Sequence, residues 1–145
     1  MKPATISAAL RRRVQERALG ICEYCLLSES DAYFSHEPDH IVACKHGGMT
    51  SFENLCWSCF DCNRFKGSDI ASLDPEGDRL VPLFNPRTDS WKDHFRLEEK
   101  LTINGQTPIG RATERLLKFN MDSRIEVRQA LNNLNRYPGK LATNN

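Results

Sequence analysis

Two pairs of cysteines, each with a two-residue spacer, are the strongest chemical signal in this 145-residue sequence. The pairs are Cys22 with Cys25 and Cys59 with Cys62. A two-residue gap lets both thiolates of a pair turn toward one ion, and two such pairs complete a closed tetrahedral zinc site of the structural kind. The pattern therefore predicts one structural Zn²⁺, and the long segment between the pairs leaves room for an inserted hairpin.

The choice of the second pair is open at this point, because Cys56, Cys59 and Cys62 form two overlapping spacers of the same kind. We favour Cys59 with Cys62, since Cys56 falls within residues 54–57, where we expect a strand. Cys44 and Cys56 are interpreted as small buried apolar residues. A thioredoxin-like redox role would need a βαβ context, which the sequence does not suggest.

Polar side chains between and beside the cysteine pairs could together hydrolyse a phosphodiester. That reaction needs a water nucleophile, a base to deprotonate it, and positive charge near the phosphate. One hard divalent cation held by oxygen ligands can supply the charge, and Asp39 and Asn63 offer such oxygens. His40 offers an imidazole that can act as the base near neutral pH. Asn54 can bind backbone groups and hold the loop that orients His40, and Lys66 can contact a phosphate.

Each of these residues, taken alone, has a simpler structural interpretation, and only their joint order between cysteine pairs favours catalysis. His36 is a candidate accessory ligand for metal or phosphate, with an exposed residue at a strand edge as the alternative. His46 lies beside a double glycine and could reach phosphate, although a solvated loop residue is the simpler interpretation. His94 is expected to pack against Trp91 or Phe95.

At these positions the sequence resembles the HNH endonuclease family. The resemblance consists of an Asp-His pair on a first strand, a glycine loop, an Asn-Leu pair on a second strand, and a CxxCNxxK helix start. The matching segments are Asp39-His40-Ile41, Gly47-Gly48, Asn54-Leu55 and Cys59 to Gly67. Two positions depart from the family pattern. Ala43 stands where Pro is frequent, which should alter loop rigidity more than chemistry. Asn63 stands for the final His of the name and still supplies an oxygen ligand.

The resemblance implies a ββα-metal fold and Mg²⁺- or Mn²⁺-dependent cleavage of DNA by one metal ion, with 3′-hydroxyl and 5′-phosphate products. By this analogy His40 is the general base, Asp39 and Asn63 bind the catalytic ion, and Asn54 is the structural asparagine. The match is detailed over residues 20–68. A looser similarity to the tails of stand-alone bacterial HNH proteins continues after it and names no chemistry. Two alternatives stay open: a non-catalytic zinc module that binds DNA or protein, and cleavage of RNA.

Local patterns predict the elements that must position these residues. Ser7 can cap a helix that ends at a glycine stop, Gly20, and Pro108 and Asp122 suit the starts of two later helices. Residues 69–90 are rich in Pro, Gly and Asp and are expected to be an ordered loop or arm. The expected helices are Ala8–Leu19, Cys62–Gly67, Pro108–Phe119 and Asp122–Tyr137, and the expected strands lie near 36–44, near 53–57 and within 91–103.

These elements define an α+β protein of one domain. An N-terminal helix (1–20) precedes a zinc-stapled HNH ββα-metal module (21–68). An arm and a C-terminal helical extension (69–145) follow, and we expect the helices to pack against the module.

The formal net charge is only +1, but its distribution is uneven. Residues 1–20 and 110–145 each carry a net +4, while residues 21–68 carry −4 and 69–109 carry −3. Basic ends could follow a DNA phosphate backbone, although two solvated helix faces are an equal alternative. No apolar run approaches the roughly 20 residues of a membrane span, and the first residues do not resemble a secretory signal. We therefore expect a cytoplasmic protein with no membrane partner.

Overall fold

The computed structural model describes residues 5–141 and combines short helices with three small sheets. The α+β class expected from the sequence is confirmed. The helices are α1 (Ala8–Arg17), α2 (Phe60–Lys66), α3 (Trp91–His94), α4 (Pro108–Leu116) and α5 (Asp122–Asn133). The strands are β1 (Glu37–His40), β2 (Leu55–Ser58), β3 (Ala71–Leu73), β4 (Leu80–Pro82), β5 (Phe95–Leu97) and β6 (Ile103–Gly105).

Helix α1 begins as the sequence predicts, because the Ser7 side chain accepts a hydrogen bond from the backbone N–H of Leu10 at 3.1 Å. Val14 and Ala18, one turn apart, are buried against Leu55 and Trp57 of β2. The apolar stripe of α1 therefore covers one face of the strand pair. The helix ends at Arg17, two residues before the expected end.

Strands β1 and β2 form an antiparallel pair in which Asp39 lies opposite Cys56 and His40 lies opposite Leu55. Strand β1 is shorter than expected, because the chain turns through a 3₁₀ segment at Cys44–His46. All four residues of β2 are buried, so both of its faces are covered. The pair is therefore a rigid support for the residues at the end of β1.

Helix α2 follows β2 directly and starts earlier than expected. Cys59 is its N-cap residue, and the Cys59 sulfur accepts from the N–H of Cys62 at 3.4 Å. The first turn of the helix therefore spans the second cysteine pair. The helix ends at Lys66, and Gly67 follows with a φ of 53°, a conformation that L-residues with a side chain rarely adopt.

Residues 69–90 contain a hairpin, which differs from the expected loop. Strands β3 and β4 pair antiparallel, with Ala71 opposite Pro82 and Leu73 opposite Leu80. The turn between them is closed by the Asp74 side chain, which accepts from the Glu76 N–H at 3.1 Å. The sequence did not indicate this hairpin, because each strand is only three residues long and the segment is rich in turn-forming residues.

The last two helices are present but shorter than expected, ending at Leu116 and Asn133. Thr107 caps α4 by accepting from the Gly110 N–H at 3.0 Å, with Pro108 in the first turn. Asp122 is not the cap of α5. It is the first helical residue, and Met121 holds the cap position without a side-chain bond.

The main core lies between the cysteine-rich segment and the C-terminal helices. Phe84, Phe95 and Phe119 form its aromatic centre. The ring centroid of Phe95 lies 5.2 Å from that of Phe84 and 5.6 Å from that of Phe119. The four buried residues Cys22, Cys25, Cys59 and Cys62 belong to the same cluster. Among residues 5–141, no helix has the length and apolar character needed to cross a membrane.

Candidate functional site

The four cysteines that the sequence paired lie together in one buried cluster. The sulfur atoms of Cys22, Cys25, Cys59 and Cys62 all lie within 4.8 Å of one another. Cys22 and Cys25 lie in a tight turn, in which the Cys25 N–H points at the Cys22 sulfur at 3.5 Å. Cys59 and Cys62 come from the first turn of α2. The β1–β2 pair lies between the two cysteine pairs in the chain.

This donor set fits a zinc ion. Cys25 Sγ and Cys59 Sγ are 3.6 Å apart. That is close to the roughly 3.7 Å between ligand sulfurs of a tetrahedral zinc site with Zn–S bonds of about 2.3 Å. It is far longer than the roughly 2.05 Å of a disulfide, and all six cysteines are free thiols. Hydrogen bonding from the Cys22 thiol, helped by Cys59 and Cys62, lowers the pKa of Cys25 well below its ordinary value.

Cys56 is outside the cluster, so the choice left open by the sequence is decided by the structure. Its thiol lies 3.4 Å from the Tyr24 hydroxyl and 3.8 Å from Asp39 Oδ2. Burial raises the pKa of Cys56 well above its ordinary value. Cys56 is thus a neutral core residue in β2, as expected. Cys44 is only half-buried, which differs from the expectation for that residue.

Arg124 is a neighbour of the cluster that the sequence did not reveal. From α5, its guanidinium lies 3.1 Å from Cys62 Sγ and 3.8 Å from Cys59 Sγ. Burial opposes the charge on Arg124, but the cysteine sulfurs outweigh it and raise the pKa of Arg124 above its ordinary value. A lone Arg in an amphipathic helix carries no metal-binding signal, so only the fold identifies it.

The Asp39 carboxylate lies in a buried polar network with Tyr24, Cys56 and Lys66. Its Oδ2 is 3.1 Å from Lys66 Nζ and 3.3 Å from the Tyr24 hydroxyl. Burial raises the pKa of Asp39, and the nearby Lys66 ammonium opposes that effect. Oδ1 of Asp39 accepts no hydrogen bond from residues 5–141. One carboxylate oxygen is therefore engaged and the other is left to bind something else.

Lys66 differs from the expectation that it contacts a phosphate. The residue is 1 % exposed, and its Nζ donates to the carbonyl oxygen of His40 at 2.9 Å. Lys66 thus joins α2 to the Asp39-His40 pair on β1. Lys66 is buried because α2 packs on β1 with this side chain between the two elements.

His40 is half-buried at the end of β1, and its Nε2 lies 2.8 Å from the Thr50 hydroxyl. Since a hydroxyl can donate or accept, this contact holds the ring in either tautomer. Thr50 was not singled out from the sequence. Its position four residues before Asn54, in the loop that returns to β2, was the only available signal.

Asn54 ties that loop to the end of β1. Its amide nitrogen donates to the carbonyl oxygens of Val42 and Met49 at 2.9 and 2.8 Å, and its oxygen accepts from the Val42 N–H at 3.0 Å. Gly48 allows this close packing, because a Cβ there would lie 1.7 Å from the Val42 oxygen. The loop that carries Thr50 therefore has a defined shape beside His40.

Asn63 lies on α2, three residues before Lys66, and is half-buried. Its backbone belongs to the helix, while its side chain makes no hydrogen bond to residues 5–141. The donors of the expected divalent site are thus an amide oxygen and one carboxylate oxygen, neither of which has a hydrogen-bond partner among residues 5–141. This set matches the oxygen ligands that Mg²⁺ and Mn²⁺ prefer.

The other histidines have different surroundings. His36 is 1 % exposed, and its Nε2 lies 2.9 Å from the Leu27 carbonyl oxygen, so it is neither an exposed edge residue nor directed at the candidate site. His46 is exposed in the 3₁₀ turn after β1. His94 packs edge-on against Phe84, not against Trp91 or Phe95, and bonds the Thr107 hydroxyl at 2.6 Å.

The basic ends are partly used inside the protein. Arg17 donates to the backbone oxygens of Phe52 and Leu55 and stacks over the Phe52 ring at 3.9 Å. Arg128, on α5, is 3 % exposed. Arg12, by contrast, is exposed on α1. The sequence left two interpretations of the basic ends, phosphate binding and solvated helix faces. Neither describes Arg17 and Arg128, since both stabilise the fold.

Comparison with known proteins identifies the same segment of the chain. A family model described as HNH endonuclease matches residues 22–69. The matched segment begins at the first cysteine of the cluster and ends after α2, so it contains both cysteine pairs, β1 and β2. This segment is therefore similar to the HNH endonuclease family, and the resemblance drawn from the sequence is confirmed for residues 22–69. No curated protein and no solved structure gave a significant match.

Proposed function

We propose that this protein is a metal-dependent endonuclease that hydrolyses DNA phosphodiester bonds with a histidine general base. The observation that carries the proposal is the double contact of Lys66, which forms an ion pair with the Asp39 carboxylate and donates to the His40 carbonyl oxygen. Because Asn63 lies one turn before Lys66 on α2, this contact supports assigning Asp39, His40 and Asn63 to one site.

In this proposal β1, β2 and α2 form a ββα-metal module within one domain. Asp39 and Asn63 would hold a single Mg²⁺ or Mn²⁺ ion. When bound, the ion supplies positive charge to the scissile phosphate and the leaving oxygen. The four cysteines would hold a structural Zn²⁺ that fixes the start of α2 relative to the turn before β1.

His40 accepts the proton of the attacking water in this mechanism. We assign the Thr50 hydroxyl as acceptor for the Nε2–H of His40, which leaves Nδ1 free to take that proton. Lys66 and Asn54 do not touch the substrate. Lys66 holds the His40 backbone, and Asn54 holds the loop that carries Thr50. The general base is thereby oriented from both sides.

The proposal is tested by incubating purified protein with supercoiled plasmid in Mg²⁺, in Mn²⁺ and in EDTA. Nicking or linearisation that requires the divalent ion is the expected result. Parallel incubation with single-stranded RNA distinguishes a DNA nuclease from an RNA nuclease.

A non-catalytic zinc module that binds DNA or protein is the second candidate. The observation that favours this candidate is the buried ion pair of Asp39 with Lys66, because such a pair can serve the fold without binding a metal. DNA binding without cleavage of any substrate in either metal would support this candidate and reject the nuclease.

A further inference from the structure

The guanidinium group of Arg124 lies against the sulfur atoms of the second cysteine pair. One of its nitrogens, Nη2, is 3.1 Å from Cys62 Sγ and 3.8 Å from Cys59 Sγ. The other, Nη1, donates to the carbonyl oxygens of Leu117 and Lys118 at 2.7 and 3.2 Å. Only 8 % of the residue is exposed, so the guanidinium has exchanged most of its water contacts for these partners.

A buried cation needs a negative partner, because an uncompensated buried charge is costly. The nearest carboxylate is that of Asp61, 3.8 Å from Nε, and its side chain is 42 % exposed, so solvent screens the attraction. The Cys62 sulfur is closer, at 3.1 Å, and both Cys59 and Cys62 are buried. Four thiolates around one Zn²⁺ leave a net charge of about −2. The position of Arg124 is therefore favourable when these cysteines are deprotonated ligands.

The chain after α5 contacts the first cysteine pair as well. The Tyr137 hydroxyl donates to the Cys25 carbonyl oxygen at 2.6 Å, and the Gly139 N–H donates to the Leu26 carbonyl oxygen at 2.9 Å. The Asn132 side chain, in α5, donates to the Tyr137 carbonyl oxygen at 2.9 Å. One C-terminal segment thus holds the backbone of the first pair and the sulfurs of the second.

We propose that Arg124 is a positioning residue of the zinc site, which offsets part of its negative charge and keeps Cys59 and Cys62 oriented toward the ion. The proposal rests on the zinc binding proposed above and extends the site to α5, outside residues 22–69 that match the family model. Groups that hydrogen-bond metal ligands commonly change metal affinity by 10–100-fold. Helix α5 is in this sense part of the metal site, although no metal-binding motif lies in it.

The test compares the full-length wild type with Arg124→Met and Arg124→Lys. Zinc affinity is measured by competition with a chromophoric chelator, and the sulfur-to-metal charge-transfer bands are recorded after substitution with Co²⁺. Arg124→Met should bind zinc about 10–100-fold more weakly and should shift those bands, because the thiolates lose a hydrogen bond. The zinc affinity of Arg124→Lys should lie between those of Arg124→Met and the wild type, since lysine keeps the charge but not the planar pair of donors.

Arg128→Met is the matched control. Arg128 is also buried on the same helix, but it donates to the Leu101 and Phe119 carbonyl oxygens and to Asn120, not to sulfur. This variant should lose stability while the folded protein keeps wild-type zinc affinity and Co²⁺ bands. Equal zinc affinity and equal bands in Arg124→Met and wild type would overturn the role of Arg124.

Two further outcomes separate the two proposals. A folded wild type that contains no zinc and takes up none would reject the zinc site itself. If Arg124→Met does not fold, Arg124→Lys and Arg128→Lys replace the methionine pair. Weaker zinc binding by Arg124→Lys alone would then support the proposal, and equal binding would reject it.

Discussion

The ammonium group of Lys66 lies 3.1 Å from Asp39 Oδ2, and both side chains are almost fully buried. The same ammonium group donates to the His40 carbonyl oxygen. Helix α2 and strand β1 are therefore joined by a charged contact at the proposed catalytic site. Since buried ions depend on their partners, this contact couples the stability of the domain to the geometry of the site.

Lys66→Met should destabilise the protein by about 3–5 kcal/mol, because it leaves the buried Asp39 carboxylate without its cation. Urea denaturation followed by circular dichroism measures the change. Lys45→Met is the control, since Lys45 is exposed in the 3₁₀ turn and its loss should change stability little. Similar midpoints for the two variants would show that the buried pair is not needed for stability.

Cys59→Ser should lose zinc and unfold or become strongly destabilised, because a closed four-thiolate site stabilises the fold directly. Cys56→Ser should keep about one zinc per chain, since Cys56 is outside the cluster. Atomic emission measures the zinc content of both purified variants and so shows which cysteine is a ligand. The opposite pattern would mean that Cys56 replaces Cys62 or Cys59 as a ligand.

His40→Ala should reduce plasmid cleavage by about 10²–10⁴-fold, the usual loss for a general base, while zinc content and fold are retained. Thr50→Val should cause a smaller loss, because the imidazole is kept but loses the hydrogen bond at its Nε2 that helps to orient it. Unchanged nicking by folded His40→Ala would remove this residue from the mechanism.

Asp39→Asn and Asn63→Ala should shift the dependence of cleavage on Mg²⁺ or Mn²⁺ to higher metal concentrations, because each removes or weakens an oxygen ligand. Titration of the nicking rate against each metal measures the shift. Asp61→Asn, on the same helix but with an exposed carboxylate, is the control and should titrate like the wild type. A metal response in Asn63→Ala identical to that of Asp61→Asn would exclude Asn63 as a ligand.

Arg12→Glu should weaken DNA binding at low salt without lowering stability, since Arg12 is exposed on α1. Each lost phosphate contact should reduce the slope of binding against salt concentration by about one unit. Arg17→Glu should instead destabilise the protein, because Arg17 bonds the Phe52 and Leu55 backbone. Binding and denaturation curves for both variants separate the two roles. Wild-type binding by Arg12→Glu would assign Arg12 to the solvated surface.

Features with a local cause could be predicted from the sequence. The spacing within each cysteine pair indicated the cluster, because two thiolates separated by two residues turn to the same side of the backbone. The Ser7 cap and the apolar stripe of α1 follow from hydrogen bonding and helix period over a few residues. The hairpin at residues 69–90 was missed, since strands of three residues are too short for alternation to be visible.

Burial and long-range pairing were decided by the tertiary structure alone. The sequence left Cys56 as an alternative ligand, and only the fold shows that its sulfur contacts Tyr24 and Asp39 and is not one of the four clustered sulfurs. Lysine is usually a surface residue, yet the packing of α2 on β1 buries Lys66. Arg124 is 62 residues from Cys62 in the chain. No local pattern can encode such a contact, because it exists only when distant elements have packed around one core.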